Sequence, residues 1–90
     1  MINAGIVGYG YWGPNLARNI EANPDFNLIR IADREESRRA QAQRNHPNSE
    51  VTGMSETVTR APDIDVVIIT TPVTSHFSLA IEALENGKHV

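Results

Sequence analysis

The sequence predicts an α/β fold in which helices cover both faces of a doubly wound parallel β-sheet. Two observations support this class. Strand signals and helix signals alternate along the whole chain, and the run Val66–Ile69 is apolar and β-branched without interruption. Such a run is typical of a parallel strand that is buried on both faces. Right-handed crossovers then predict a single domain over residues 1–90, with the strand order 3-2-1-4-5 and an incomplete last strand.

Three strands and two helices are expected in the first half of the chain. Pro14 lies in the first turn of the first helix, where its missing N–H removes no hydrogen bond. Turns at Pro24 and Pro47 end the first and second helices. The predicted elements are strands over Ile2–Val7, Phe26–Ala32 and Glu50–Thr52, a first helix with the inward stripe Leu16, Ala17 and Ile20, and a polar second helix over residues 35–45 with a thin apolar face at Ala40 and Ala42.

The second half is expected to add two helices and two strands. Pro72 stops the strand that contains the β-branched run, Thr74 or Ser75 caps the helix after it, and Gly87 closes that helix. The predicted elements are a short helix over residues 54–60, a strand over residues 64–71, a helix with the apolar stripe Phe77, Ala80, Ile81 and Leu84, and the start of a fifth strand over residues 88–90.

Three glycines with the spacing G-x-G-x-x-G follow the first strand and precede the first helix. Gly8 permits a tight turn, Gly10 lets a pyrophosphate approach the backbone, and Gly13 allows the helix to pack closely on the strand. The backbone N–H groups of Tyr11 and Trp12 are further candidate donors to the phosphates. Because a strand, a helix and a downstream acid surround the motif, it predicts a dinucleotide site in a Rossmann-type fold.

Asp33 ends the second predicted strand, about 20 residues after the glycines, where an acid can accept both hydroxyl hydrogens of the adenosine ribose. Its negative charge opposes the 2′-phosphate of NADP and therefore favours NAD. Arg34 keeps NADP open as the alternative, because a guanidinium can bind that phosphate or stack on adenine. If Asp33 served only to cap the next helix, it would carry no such preference.

The end of the fourth predicted strand lies at the point where the strand order reverses, and ligands bind there in open α/β sheets. The candidate cofactor contacts at this point are Thr70, Thr71, Pro72 and His76. His46 and His89 receive no role. The histidines and acids lack metal-ligand spacing, so no metal site is predicted, and no residue is predicted to be catalytic.

Composition narrows the function classes further. The net charge is −3, so we expect neither a nucleic-acid partner nor an anionic membrane partner. The chain has no cysteine, which excludes disulfides, thiolate metal sites and cysteine nucleophiles. No apolar run has the length of a membrane helix and no signal peptide is visible, so a cytoplasmic protein is expected.

Three blocks of the sequence together resemble one known family. They are Gly5 to Gly13 (GIVGYGYWG), Thr70 to His76 (TTPVTSH) and Ala83 to Val90 (ALENGKHV). The chain resembles the N-terminal part of the glucose–fructose oxidoreductase / inositol dehydrogenase / MocA (Gfo/Idh/MocA) family over nearly its whole length. The run from Tyr11 to Leu16 further resembles members that act on nucleotide-linked sugars.

The resemblance implies an oxidoreductase that oxidises a sugar, nucleotide-sugar or cyclitol hydroxyl by passing hydride to a nicotinamide. It implies that Gly8, Gly10 and Gly13 hold the pyrophosphate and Asp33 the adenosine ribose. It places Thr71, Pro72 and His76 beside the nicotinamide half. Family members continue into a Glu-Lys-Pro motif and a further α/β domain that supply the catalytic lysine and the substrate groups, so we expect this chain alone to bind cofactor without turnover.

Two other classes of function are also compatible with the sequence. One is a stand-alone NAD-binding sensor or subunit without chemistry, and the other is an interaction protein in which the glycines and Asp33 are purely structural. We also expect self-association, because an incomplete fifth strand leaves an apolar sheet edge exposed.

Overall fold

The computed structural model describes residues 1–90 and alternates strands with helices throughout. The strands are β1 (Ile2–Val7), β2 (Phe26–Ala32), β3 (Glu50–Thr52) and β4 (Val66–Ile69), and the helices are α1 (Gly13–Ala22), α2 (Glu36–Asn45), α3 (Glu56–Thr59) and α4 (Val73–Glu85). All strand pairs are parallel and the order is β3-β2-β1-β4, which confirms the predicted Rossmann-type arrangement. The expected fifth strand contributes one isolated parallel bridge, between Val66 and His89.

The sheet has a hydrophobic core on each face. Successive residues of a strand point to opposite faces, so Ile6 and Val7 of β1 belong to different cores. One core lies under α1 and α2 and contains Ile6, Tyr9, Ala17, Leu28, Ile31 and Ala42. The other lies under α3 and α4 and contains Val7, Ala32, Val58, Ile64, Val67 and Ala83. The sheet is therefore doubly wound, as predicted.

The central strand β1 pairs with β2 on one side and with β4 on the other. Val7, the last residue of β1, is in register with Ala32 of β2 and with Ile69 of β4. The carboxyl ends of these three strands therefore meet at one edge of the sheet. The chain leaves β1 and β4 toward opposite faces, which opens a crevice between their ends.

Several local expectations need correction. The helix α3 is a single turn and not the 54–60 helix expected, because only two i→i−4 hydrogen bonds form there, from Thr59 to Ser55 and from Arg60 to Glu56. Neither Thr74 nor Ser75 caps α4: the helix begins at Val73, and Ser75 Oγ donates to the carbonyl of Pro72 instead. Strand β4 spans 66–69 rather than 64–71, and α2 begins at residue 36 rather than 35.

The apolar stripe of α4 faces largely outward. Phe77 is 76% exposed, and Ile81 and Leu84 are also exposed, whereas Ala83 is the buried residue of the helix. Because β4 is the last full strand, no further strand supports that side of α4. One predicted inward residue of each earlier helix also faces outward: Leu16 of α1 and Ala40 of α2 are exposed, whereas Ala17 and Ala42 are buried.

None of the helices combines the length and the apolar character needed to cross a membrane.

Arg30 of β2 joins three parts of the fold on the α3 side. Its guanidinium bonds both carboxylate oxygens of Asp63 (3.2 and 3.1 Å), Glu50 Oε1 (3.1 Å) and the carbonyl of Thr57 (2.9 Å). The hydrogen bonds from Arg30 hold the pKa of Asp63 below its usual value, and the Asp63 carboxylate in turn raises the pKa of Arg30. The Arg30 side chain is 14% exposed, whereas both carboxylates are more than half exposed, so solvent screens the pairs.

Replacing Arg30 by methionine is expected to lower the free energy of unfolding at pH 7 by about 1–2 kcal/mol, after allowance for screening. Because the folded pKa of Asp63 is depressed, its contribution is present above the unfolded value of about 3.9 and is lost as pH falls through the folded value. The difference between wild type and Arg30→Met should therefore shrink between pH 5 and pH 2 (about the range set by that pKa). Urea denaturation at several pH values measures it.

Arg18→Met is the matched control, because the Arg18 guanidinium bonds only the uncharged Asn15 side chain. It should leave the free energy of unfolding nearly unchanged at every pH. An Arg30→Met loss that stays constant from neutral to acid pH would contradict the role of Asp63.

Candidate functional site

The glycine loop connects β1 to α1 at the crevice. Gly8 has a φ of +104°, and a Cβ on Gly13 would lie 2.5 Å from the carbonyl oxygen of Gly8. A Cβ on Gly10 would meet only the guanidinium of Arg38, at 3.2 Å. Glycine is therefore required at position 8 by the turn, and at position 13 by the close contact between the helix and the loop. At position 10, by contrast, no backbone atom of the chain excludes a side chain.

Four consecutive backbone N–H groups in this loop have no partner in the chain. They belong to Gly10, Tyr11, Trp12 and Gly13. No side chain caps the N-terminus of α1, and Pro14 follows directly. Unpaired donors at the positive end of a helix dipole form a site for an anion.

Asp33 lies directly beside this loop, at the end of β2. Its Oδ2 accepts the N–H of Tyr9 at 2.7 Å, and its Oδ1 accepts the N–H of Glu35 at 2.9 Å. The residue is 8% exposed, so its carboxylate is fixed in one orientation between the loop and the start of α2. Each oxygen retains a second lone pair that can accept a hydroxyl hydrogen.

Three arginines of the β2–α2 region have different surroundings. Arg39 donates to the carbonyls of Asp33 and Arg34, at 3.0 and 2.8 Å, and so stabilises the connection between β2 and α2. Arg38 pairs with Glu35 at 3.3 Å and extends over Gly10. Arg34 is exposed and lines the crevice. Arg38 also lines the crevice, although the sequence did not single it out, because alternation with acids such as Glu35 and Glu36 is typical of a solvated helix face.

The Thr70–His76 segment forms the opposite wall of the crevice. Thr70 Oγ1 donates to the carbonyl of Gly8 at 2.6 Å, so this hydroxyl stabilises the glycine loop. Thr71 Oγ1 lies within hydrogen-bond distance of Ser75 Oγ, at 2.8 Å. The Nε2 atom of His76 is buried and has no hydrogen-bond partner in the chain. Because burial of a polar atom without a partner is costly, Nε2 of His76 is a group that could take a hydrogen bond at this wall of the crevice.

These walls enclose a crevice of about 990 Å³. Every residue that the sequence predicted as a cofactor contact lines it, except Gly13, which packs beneath Gly8. Tyr11 and Trp12 lie at its mouth, with their rings in an edge-to-face contact at 5.2 Å and Trp12 60% exposed. The predicted site residues are thus brought together, although they come from three separate segments of the chain.

A buried polar network behind the loop was also missed from the sequence. The hydroxyl of Tyr9 bonds Nε2 of His46 at 2.9 Å, and Nδ1 of His46 bonds Glu21 Oε1 at 3.1 Å. The available signal was a tyrosine between two glycines at the end of a buried strand, a position that points into the core.

The chain is similar to known proteins over nearly its whole length. The Gfo/Idh/MocA model, described as an oxidoreductase family with an NAD-binding Rossmann fold, matches residues 2–90. The oxidoreductase YdgJ of Escherichia coli is 34% identical over 99% of the chain, and the scyllo-inositol 2-dehydrogenase (NADP(+)) IolW of Bacillus subtilis is 32% identical over the same share. The chain spans about a quarter of the length of these relatives, 25% and 24%.

Solved structures show the same relationship. A scyllo-inositol dehydrogenase of Lactobacillus casei, solved with NAD(H) and scyllo-inositol, is 30% identical and superimposes with a TM-score of 0.89. An oxidoreductase of Klebsiella pneumoniae is 36% identical, with a TM-score of 0.90. Both superpositions cover all of this chain but only 27% of the Lactobacillus casei chain and 25% of the Klebsiella pneumoniae chain.

Proposed function

The chain belongs to the Gfo/Idh/MocA oxidoreductase family, whose NAD-binding Rossmann domain it forms, and on that premise we propose that the crevice binds a nicotinamide dinucleotide across the ends of β1 and β4. The observation that supports this most directly is the row of four unpaired N–H groups from Gly10 to Gly13. They lie at the uncapped N-terminus of α1, which suits a pyrophosphate.

The remaining walls fit the two halves of a dinucleotide. Asp33, fixed by two backbone donors, has lone pairs left for the adenosine ribose. On the other side of the loop, Thr71, Pro72 and His76 would border the nicotinamide half, and His76 would gain there the partner that its buried Nε2 lacks. The adenosine half would then lie between the glycine loop and α2.

The complete reaction is a further proposal, because the chain spans about a quarter of its relatives. When bound, the nicotinamide supplies a hydride acceptor. This chain would supply binding and orientation, and its aromatic pair Tyr11 and Trp12 lines the same crevice. We propose that the whole protein oxidises a hydroxyl of a sugar, nucleotide sugar or cyclitol, with its proton acceptor outside residues 1–90, and that this chain alone binds cofactor without turnover.

We propose NAD rather than NADP as the preferred cofactor. A 2′-phosphate would be placed beside the Asp33 carboxylate, whose orientation two backbone donors fix. Arg38 and Arg34 oppose this preference, since both line the crevice on the same side, but Arg38 is already paired with Glu35. Among the relatives, both cofactors occur: IolW is named for NADP(+), and the Lactobacillus casei structure contains NAD(H).

Titration of the protein with NAD and with NADP tests the function and the preference together. We expect saturable binding of both, with NAD the tighter. Asp33→Asn should weaken NAD binding about 10- to 100-fold, because it removes charge-assisted hydrogen bonds worth about 1.5–3 kcal/mol, while NADP binding weakens far less. Isothermal titration calorimetry measures both dissociation constants.

Asp65→Asn is the matched control for charge. The Asp65 carboxylate also accepts a backbone N–H, from Asn3 at 2.9 Å, but it lies before β4 at the opposite edge of the sheet. This variant should leave both affinities unchanged. Absence of saturable binding of either dinucleotide by the folded wild-type protein would reject the proposed function, and an unchanged NAD:NADP ratio in Asp33→Asn would reject only the preference.

Self-association stays a prediction. The surfaces that would mediate it are the side of β4 away from β1, which carries only the bridge to His89, and the exposed apolar stripe of α4, namely Phe77, Ile81 and Leu84.

A further inference from the structure

We propose that Tyr9, His46 and Glu21 form a hydrogen-bonded clamp that positions the glycine loop and so determines how tightly it binds a pyrophosphate. The three residues come from the loop, the turn after α2 and the last turn of α1. The inference rests on the proposed function, because it names the residues that hold the phosphate-binding loop in its binding geometry.

The loop has a specific need for such a clamp. Tyr9 stands between Gly8 and Gly10, and glycines give a chain more conformational freedom than any other residue. Ordering flexible backbone on ligand binding lowers affinity, so a loop that is already ordered binds more tightly. Tyr9 is 2% exposed and belongs to the core under α1 and α2, and it is the only residue of the loop whose side chain is buried there.

Tyr9 is fixed at both ends of the residue. Its backbone N–H donates to Asp33 Oδ2 at 2.7 Å, and its hydroxyl lies 2.9 Å from His46 Nε2. The amide of Asn45 also donates to that hydroxyl, at 3.1 Å. The loop is thereby tied to the end of β2 through its backbone and to the end of α2 through its side chain.

As part of the proposal, one arrangement of protons satisfies every polar atom of the clamp. The Tyr9 oxygen accepts from Asn45, so its own hydrogen is free to bond the ring nitrogen Nε2 of His46. The other ring nitrogen, Nδ1, then bears the hydrogen and donates to the Glu21 carboxylate at 3.1 Å. In this neutral tautomer every donor of Tyr9 and His46 has an acceptor, which matters because His46 is only 3% exposed.

Loss of the clamp is expected to weaken only ligands that carry a pyrophosphate, whereas a general loss of stability would weaken all ligands. The clamp acts on the backbone that faces a pyrophosphate, whereas adenosine alone reaches Asp33 and α2 without using the phosphate site. Tyr9→Phe removes only the hydroxyl and keeps the buried ring. We expect this variant to bind NAD and ADP about 5- to 10-fold more weakly, because the hydroxyl loses its hydrogen bonds with His46 and Asn45, and to bind adenosine within about 2-fold of wild type.

Variants at His46 separate the hydrogen bond from the packing. His46→Leu should reproduce the Tyr9→Phe effect, whereas His46→Gln should recover at least half of the lost ADP affinity, because a glutamine oxygen can accept the Tyr9 hydroxyl. Val58→Ala, in the core on the opposite face of the sheet, is the control for lost stability and should leave the ADP affinity unchanged. Dissociation constants are measured by NMR titration with NAD, ADP and adenosine.

Two further NMR readouts need no cofactor. The ¹⁵N shifts of His46 should show the Nδ1–H tautomer in the wild type, and the order parameters of the Gly10–Gly13 amides should fall in Tyr9→Phe. Equal weakening of ADP and adenosine, or unchanged affinities together with unchanged order parameters, would overturn the clamp. If the wild type binds no dinucleotide but the order parameters fall as expected, the clamp stands and the proposed function fails.

Discussion

Gly8→Ala is expected to remove most of the stability of this domain, by about 3–5 kcal/mol. Two costs add at this position. Its φ of +104° lies in a region that side chains rarely adopt, which costs about 1–3 kcal/mol. The new Cβ would also lie 2.7 Å from Thr70 Oγ1 and 3.1 Å from backbone atoms of Thr70 and Thr71, an overpacking of about 1–3 kcal/mol.

The structure offers a control that separates these two costs. Gly87 also has a positive φ, +77°, but a Cβ there would meet nothing within 4 Å. Gly87→Ala should therefore show the backbone cost alone, about 1–2 kcal/mol. Urea denaturation followed by circular dichroism measures both variants, and equal losses for the two would show that the contact between the loop and Thr70 contributes nothing.

Gly10→Ala is expected to give the opposite result, with cofactor binding lost and the fold unaffected. Gly10 does not have a positive φ, and its Cβ would meet only the flexible Arg38 side chain. Replacing such a glycine changes the free energy of unfolding by less than about 1 kcal/mol, and the change can be stabilising. The methyl group would, however, point toward the space proposed for the pyrophosphate, so we expect at least about a 10-fold loss of NAD affinity.

The contact with Arg38 calls for a second variant. In an Arg38→Ala background, the methyl group introduced by Gly10→Ala would have no close neighbour in the unliganded chain. Any effect of Gly10→Ala on NAD binding that remains there is therefore due to contact between the methyl group and the ligand. We expect the loss to persist in the double variant, measured by calorimetric titration beside thermal unfolding. Full recovery of NAD affinity in that background would show instead that the methyl acts by displacing Arg38.

Much of the fold could be predicted because the relevant signals are local. The β-branched run Val66–Ile69 and the glycine motif each identify an element from neighbouring residues alone. Helix boundaries were less reliable, because they depend on individual hydrogen bonds such as the one from Thr59 to Ser55 in α3. The outward stripe of α4 was missed for a different reason: periodicity identifies an apolar face but does not say whether another element covers it.

The sequence by itself determined the order of strands and helices, the glycine loop at the end of β1 and the acid at the end of β2. These follow from periodicity and backbone freedom, which are properties of short segments. Only the tertiary structure decided which polar groups are already paired within the fold. Thr70 bonds Gly8 across 62 residues, Tyr9 bonds His46 across 37, and Asp33 holds the loop across 24. Such contacts depend on how distant segments pack together, so no local pattern contains them, and they leave the four N–H groups from Gly10 to Gly13 as the unpaired donors of the loop.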